Sequence, residues 1–437
     1  MRFRPAALLF GGVACLLSLV ALPAEHTDGQ SAIASAHPAA TSAGFEILAQ
    51  GGNAFDAAIA VSATLAVVEP MGSGLGGGGF WLLHRASDGY QIMLDGREKA
   101  PAAASRTMYL DKQGKVIEGL SLNGALAAAI PGLPAALVHL AEKYGKLPLR
   151  QSLQPAIRAA EDGFAVYPRY QQLLEFRKPH LNNAAQKIFL GKDNAIPAIG
   201  TVIKQVDLAA TLRRLAIAQR DGFYKGETAK KLLNAITQAG GIWTQADLDD
   251  YRVIERPPVT GNYRGARIVS AALPSSGGIV LVEILNILSG FDLDVLTPVQ
   301  RKQKILEAMR LAYRDRAVHL GDSDFIQVDQ AHLTSMKYAD LLRTNIGSKA
   351  TPSDFLSESP VQEGQDTSHF SVIDNAGNRV SATLSINYPF GSGMVAAGTG
   401  IILNDEMDDF SVSPGVENAH GLIGSSANAI EGGKRPL

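Results

Sequence analysis

Thiol chemistry is the first option to fall. The chain has one cysteine, Cys15, and it sits inside an apolar N-terminal run. A protein processed beyond that run keeps no thiol for a disulfide, a zinc–thiolate site or a cysteine nucleophile. No G-x-S-x-G elbow occurs, and no S-x-x-K is accompanied by S-D-N and K-T-G. The histidines are scattered without H-E-x-x-H spacing, so a zinc site has no support. What remains is a threonine at the start of a strand: Thr367, in Gly364-Gln365-Asp366-Thr367-Ser368-His369-Phe370-Ser371-Val372. A threonine hydroxyl is a poor nucleophile until a base takes its proton. A cut before Thr367 would free its own α-amine for that role. Such an amine titrates near about 8, so part of it is neutral at physiological pH. Spacing alone leaves an ordinary strand-initial threonine as the commoner reading.

A second motif needs its context. Residues 72–77 match G-x-G-x-x-G, but the loop follows a helical pattern and precedes strand-like Phe80 to His84. A dinucleotide site needs strand, loop, helix, so nucleotide binding is rejected.

The elements around these residues are legible in outline. Ala43 to Ala49 and Asn53 to Val68 read as helices, with Asn53 as N-cap, Asp56 three residues on, and Pro70 as the stop. Apolar residues at three-to-four spacing predict scaffold helices over Leu133 to Tyr144, Gln151 to Asp162, Leu208 to Ala218, Ala229 to Ala239 and Arg301 to His319. Pro274-Ser275-Ser276-Gly277-Gly278 is a turn opening another helix. Gly347 to Gly364 is polar and weakly patterned, as a linker would be. His369 to Asp374 and Arg379 to Asn387 alternate apolar and polar residues about a turn, which predicts a β-hairpin. A buried β-layer thus begins at Thr367.

Composition bounds the rest. With 437 residues, 46% hydrophobic, the chain exceeds one minimal domain. Forty Lys plus Arg against 42 Asp plus Glu give a net charge of −2, and no electrostatic reason to expect nucleic acid as partner. Arg2 and Arg4, the apolar run Ala6 to Val20, and Ala21-Leu22-Pro23-Ala24 predict an export signal over 1–24. A membrane anchor is the alternative, but the run is short for a span and Pro23 closes it.

From about Ala36 onward the chain resembles the γ-glutamyltransferase (γ-glutamyltranspeptidase) family of N-terminal-nucleophile hydrolases. The matching landmarks are His37-Pro38, Gln50 to Ala58, Gly76 to Phe80, Arg97-Glu98-Lys99-Ala100-Pro101, Pro131-Gly132 and Asp221 to Gly226. Further along come Pro274 to Gly278, Glu307-Ala308, Asp315-Arg316, Thr367 to Ser371, Asn404 to Phe410 and Lys434-Arg435-Pro436-Leu437. The landmarks are many, ordered and spread over most of the chain.

That resemblance implies an α/β fold, the αββα sandwich. It implies self-cleavage between Asp366 and Thr367 into a large subunit, 25–366, and a small one beginning at 367 and represented here by 367–437. Thr367 would attack its preceding carbonyl first and γ-glutamyl substrates, glutathione among them, afterwards. Arg97 would grip the substrate α-carboxylate; Glu406, Asp409 and Asn387 would bind its α-ammonium. Ser385 stands where the family usually has threonine and keeps the hydroxyl. Residues 414–425 correspond to a lid, with His420 where an aromatic residue is common. The family continues past Arg-Pro-Leu with two serines and a Gly-Gly oxyanion hole. The fold is therefore expected to be incomplete at its C-terminal end, and the activity to belong to the intact gene product. No cofactor or metal is implied, acceptors would be amino acids or peptides, and the location would be periplasmic or secreted. Two alternatives are a glutaryl or cephalosporin acylase on the same scaffold and an inactive remnant. An acylase substrate lacks the α-ammonium, against which Glu406 and Asp409 argue.

Overall fold

The structure, a computed structural model, describes residues 30–349, 367–413, 416, 418, 421, 422 and 424–437. The expected signal 1–24, Asp366, His420 and most of the linker-like segment lie outside the described residues.

The core is organised by a helix with no solvent face. Ala54–Val68 is made of Ala, Val, Ile and Leu with few polar side chains, and all its residues are buried. Asn53 starts it: its side chain accepts from the Phe55 and Asp56 amides, while Asp56 accepts from the Asn53 amide. That capping box is worth about 1 kcal/mol. The helix ends at Glu69, just ahead of Pro70.

Against it lies a six-stranded antiparallel sheet. In spatial order the strands are Ala32–Ala34, Thr367–Ile373, Arg379–Ser385, Gly78–Arg85, Tyr90–Gly96 and Ile254–Arg256. The Thr367 strand alternates with period two: Ser368, Phe370 and Val372 point into the core, and Thr367, His369, Ser371 and Ile373 point out. Trp81 and Leu83 join the same buried layer, where the Trp81 indole donates to Ser62 Oγ at 3.2 Å. On the other face, Phe80 and Leu82 pack with Met93 against Val259, Ile279 and Val282. These belong to a hairpin, Val259–Tyr263 with Ala266–Ser270, and to the helix Gly277–Leu288, which packs in turn on Pro298–His319. Helix, sheet, hairpin and helix follow one another, the layer order of an αββα sandwich.

One expected helix is interrupted. Instead of running from Gln151 to Asp162, the chain makes a short turn, Leu149–Ser152, and a separate helix, Gln154–Asp162. Pro155 has no N–H to donate into a preceding turn, so it serves in the first turn of a new helix.

Candidate active site

Four glycines bring the strands of the site together. A Cβ on Gly76 would lie 2.0 Å from the Ile402 carbonyl oxygen, on Gly77 2.2 Å from that of Ser385, on Gly78 2.4 Å from that of Gly96, and on Gly79 2.4 Å from that of Thr383. The glycine run therefore serves close backbone approach between strands.

On the outward face Thr367 pairs across the ladder with Ser385, and Ser385 with Gly78. Thr367 Oγ1 and Ser385 Oγ are 3.5 Å apart, a weak contact. The Asn387 amide donates to Ser385 Oγ at 2.9 Å. The Ser385 proton is thereby free to point toward Thr367. Asn387 sits at φ 69°, where asparagine is tolerated better than most residues, and its side-chain NH₂ donates to the Asp405 carbonyl at 3.1 Å.

Arg97 follows the end of the strand Tyr90–Gly96. Its guanidinium pairs with Glu406 and Asp409, both from the single turn Glu406–Asp409. Asn404 positions that turn. Its Nδ2 donates to the carbonyls of Gly76 at 2.6 Å and Ala129 at 2.7 Å, while its Oδ1 accepts from the Ala129 and Glu406 amides. All its hydrogen-bonding capacity is used, and the acidic turn is tied to the glycine loop. Burial pushes the Glu406 carboxyl up to about 7, helped by the negative charge of Asp409 and opposed by Arg97. Burial also disfavours the Arg97 charge, but Glu406, Asp409 and Glu98 outweigh it and raise its pKa.

Thr367, Ser385, Asn387, Arg97, Glu406 and Asp409 all line one cavity of about 740 Å³. Sequence reasoning had these six from widely separated segments, and the fold brings them together. It did not single out Phe80, Thr383, Arg169 or Arg316 as site residues, yet they line the same cavity. Arg316 and Phe80 lay within recognised landmarks, but helix periodicity and strand alternation gave them ordinary scaffold readings. Among the described residues no cluster of His, Cys, Asp or Glu has the makings of a metal site.

A hydroxyl at a strand end, backed by a second hydroxyl and facing a cavity that carries both a guanidinium and carboxylates, has the parts for acyl transfer on a zwitterionic substrate. The layered fold and this site define a class: acyl-transferring hydrolases built around a sheet.

The comparisons with known proteins narrow this. Residues 40–437 match the family Gamma-glutamyltranspeptidase. A glutathione hydrolase proenzyme of Pseudomonas sp. (strain A14) is 43% identical over 99% of this chain and 76% of its own length. Among solved structures, the Helicobacter pylori gamma-glutamyltranspeptidase is 39% identical with a TM-score of 0.72, covering 76% of this chain and 97% of that one. A cephalosporin acylase from Bacillus halodurans is 32% identical with a TM-score of 0.80, covering 93% and 73%. The chain belongs to the gamma-glutamyltranspeptidase family.

Proposed function

We propose that this chain is the proenzyme of a glutathione hydrolase and γ-glutamyltransferase, with Thr367 as the nucleophile of both maturation and turnover. In maturation, Thr367 Oγ attacks the carbonyl carbon of residue 366. The peptide C–N bond breaks, the freed α-amine takes up the proton, and water hydrolyses the resulting ester. That separates a large subunit, 25–366, from a small one beginning at 367. Both contribute to one sheet, because the Thr367 strand lies between Ala32–Ala34 and Arg379–Ser385, so the pieces stay together after the cut.

In turnover, the α-amine of Thr367 accepts the hydroxyl proton while Oγ attacks the γ-carbonyl of the donor. The proton passes to the departing peptide amine, leaving a γ-glutamyl ester. Water, or an amino-acid or peptide amine, then resolves it. Ser385 O–H donates to the attacking oxygen, a contact expected to tighten as the substrate seats. Arg97 holds the α-carboxylate; Glu406, Asp409 and Asn387 hold the α-ammonium.

The observation that carries this reading is a single cavity presenting the Thr367 hydroxyl together with a guanidinium and two carboxylates. The 32% identity to a cephalosporin acylase favours a second reading, a glutaryl or cephalosporin acylase. A side chain without an ammonium would leave the acidic turn with only Arg97 to face. A signal-like N-terminus supports a periplasmic or secreted location, and among the described residues no helix is long and apolar enough to cross a membrane.

Denaturing electrophoresis with N-terminal sequencing tests the mechanism. The wild-type protein should divide into two fragments, the smaller beginning at Thr367, and Thr367→Ala should stay intact and inactive. Cleavage in Thr367→Ala, or a small fragment with another first residue, ends this reading.

A further inference from the structure

Arg316 is a cavity-lining cation that neither maturation nor turnover has used so far. It lies in the last turn of the helix Pro298–His319 and borders both the main cavity and a smaller adjoining recess shared with Asp409 and Leu437. Its Nε donates to Ser276 Oγ at 3.0 Å, which fixes the plane of the guanidinium against the start of the helix Gly277–Leu288. Among the described residues both Nη atoms are left without a hydrogen bond, and Arg316 makes no ion pair. Burial works against its charge; Asp409 and Tyr313 favour it, and Arg97 repels it. An arginine stays protonated regardless, so a fixed, half-buried guanidinium with two unused donor groups faces the cavity.

Arg97 is in the opposite condition, because both its carboxylate partners already occupy it. An α-amino acid head brings one ammonium and one carboxylate. The ammonium competes with Arg97 for Glu406 and Asp409, and the carboxylate must replace what Arg97 loses. Two guanidiniums beside one pair of carboxylates let each charge of the zwitterion meet an opposite one.

We propose that Arg316 is a second guanidinium for the α-carboxylate of the γ-glutamyl group, acting together with Arg97 and selecting donors that carry that carboxylate. The proposal rests on the γ-glutamyl reading of the site. It commits to the α-carboxylate rather than the carboxylate of the leaving peptide, because Arg316 shares the adjoining recess with Asp409, which belongs with Arg97 to the amino-acid end of the cavity.

The test is a binding measurement that needs no turnover. L-Glutamate and 4-aminobutyrate, which differ by the α-carboxylate, are titrated calorimetrically into the full protein and its Arg316→Met and Arg316→Lys variants. Arg316→Met should weaken L-glutamate about 10- to 100-fold, the range of a charge-assisted contact, and leave 4-aminobutyrate unchanged. Arg316→Lys, which keeps the charge and should fold if the methionine variant does not, should lose less than Arg316→Met but visibly more than nothing. Equal losses for both ligands, or none, overturn the proposal. In kinetics, the KM increase should appear with γ-glutamyl-p-nitroanilide as well as glutathione. A penalty confined to glutathione would assign Arg316 to the leaving peptide and also overturn it. A protein that fails to cleave itself but shows the expected glutamate losses would sink the Thr367 mechanism and leave this inference standing.

Discussion

Asp95 and Glu98 are two fully buried carboxyl groups three residues apart, and their surroundings are opposite. Asp95 meets Arg435 at 2.6 Å and Arg256 at 2.8 Å, and also accepts the Arg97 amide at 3.0 Å. Arg256 continues to Asp324 at 2.6 Å, and Arg435 to the Arg252 carbonyl at 2.6 Å. Among the described residues, Glu98 has no hydrogen-bond partner for either oxygen. The Arg97 guanidinium, 3.9 Å away, is too far to bond it. Burial pushes the Glu98 carboxyl well above its ordinary range, and the neighbouring Glu406 adds to that while Arg97 opposes it. One carboxyl anchors a closed ion network behind the site. The other lies buried beside Arg97 and Glu406, with no bond to hold a charge. A closed network resists change, whereas Glu406 and Asp409, which border the cavity with Arg97 between them, have carboxylates to offer an incoming ammonium.

The sharpest way to break that contrast is to make the same carboxyl-to-amide change at both positions. Asp95→Asn should cost about 3–5 kcal/mol of folding stability, because it takes the shared charge from two buried guanidiniums and leaves Arg435 without an ion pair among the described residues. Chemical unfolding at neutral pH measures it, and a loss below about 1 kcal/mol would show that the network is not what holds Arg256 and Arg435. A smaller effect, and a different observable, is expected at Arg97 itself. Arg97→Lys replaces a planar fork by a point charge, so KM for a γ-glutamyl donor should rise about 10- to 100-fold through loss of charge-assisted bonds. An unchanged KM would remove Arg97 from the carboxylate site.

How far the sequence carried this contrast depends on the range of each signal. Asn53 and Asp56 are three residues apart, and their capping box could be read directly. The hairpin after Thr367 announced itself by alternation, and the glycine loop does lie between a helix and a strand, as its context predicted. Pro155 was a local signal too, underweighted against helical periodicity. The Asp95 network was not legible, since Arg435 lies 340 residues away and nothing near either residue encodes the pairing. Arg316 was hidden for another reason: an arginine on an amphipathic helix is ordinarily a solvated side chain, and only the packing of Pro298–His319 beside the cavity makes it more. Asn404 stood at the head of a recognised landmark, but its four hydrogen bonds appear only once Gly76 and Ala129 are folded against it.

The smallest expected effect is at Glu98, and it carries a sign. A carboxyl whose folded-state pKa lies above its ordinary 4.5 keeps its proton in the folded protein where the unfolded chain has released it. The folded state then binds more protons, and stability falls as pH rises above about 4.5 toward the folded-state value. Glu98→Gln removes that titration while keeping shape. Near pH 5 the variant should match the wild type within about 0.5 kcal/mol. As the pH rises further its relative stability should grow, by at most about 1.4 kcal/mol per pH unit, as the wild type is forced to hold a proton or bury a charge. Thermal unfolding of both proteins across this range reads the difference. A variant whose disadvantage grows with pH would mean that Glu98 is ionised and satisfied in the folded state, and the contrast with Asp95 would vanish.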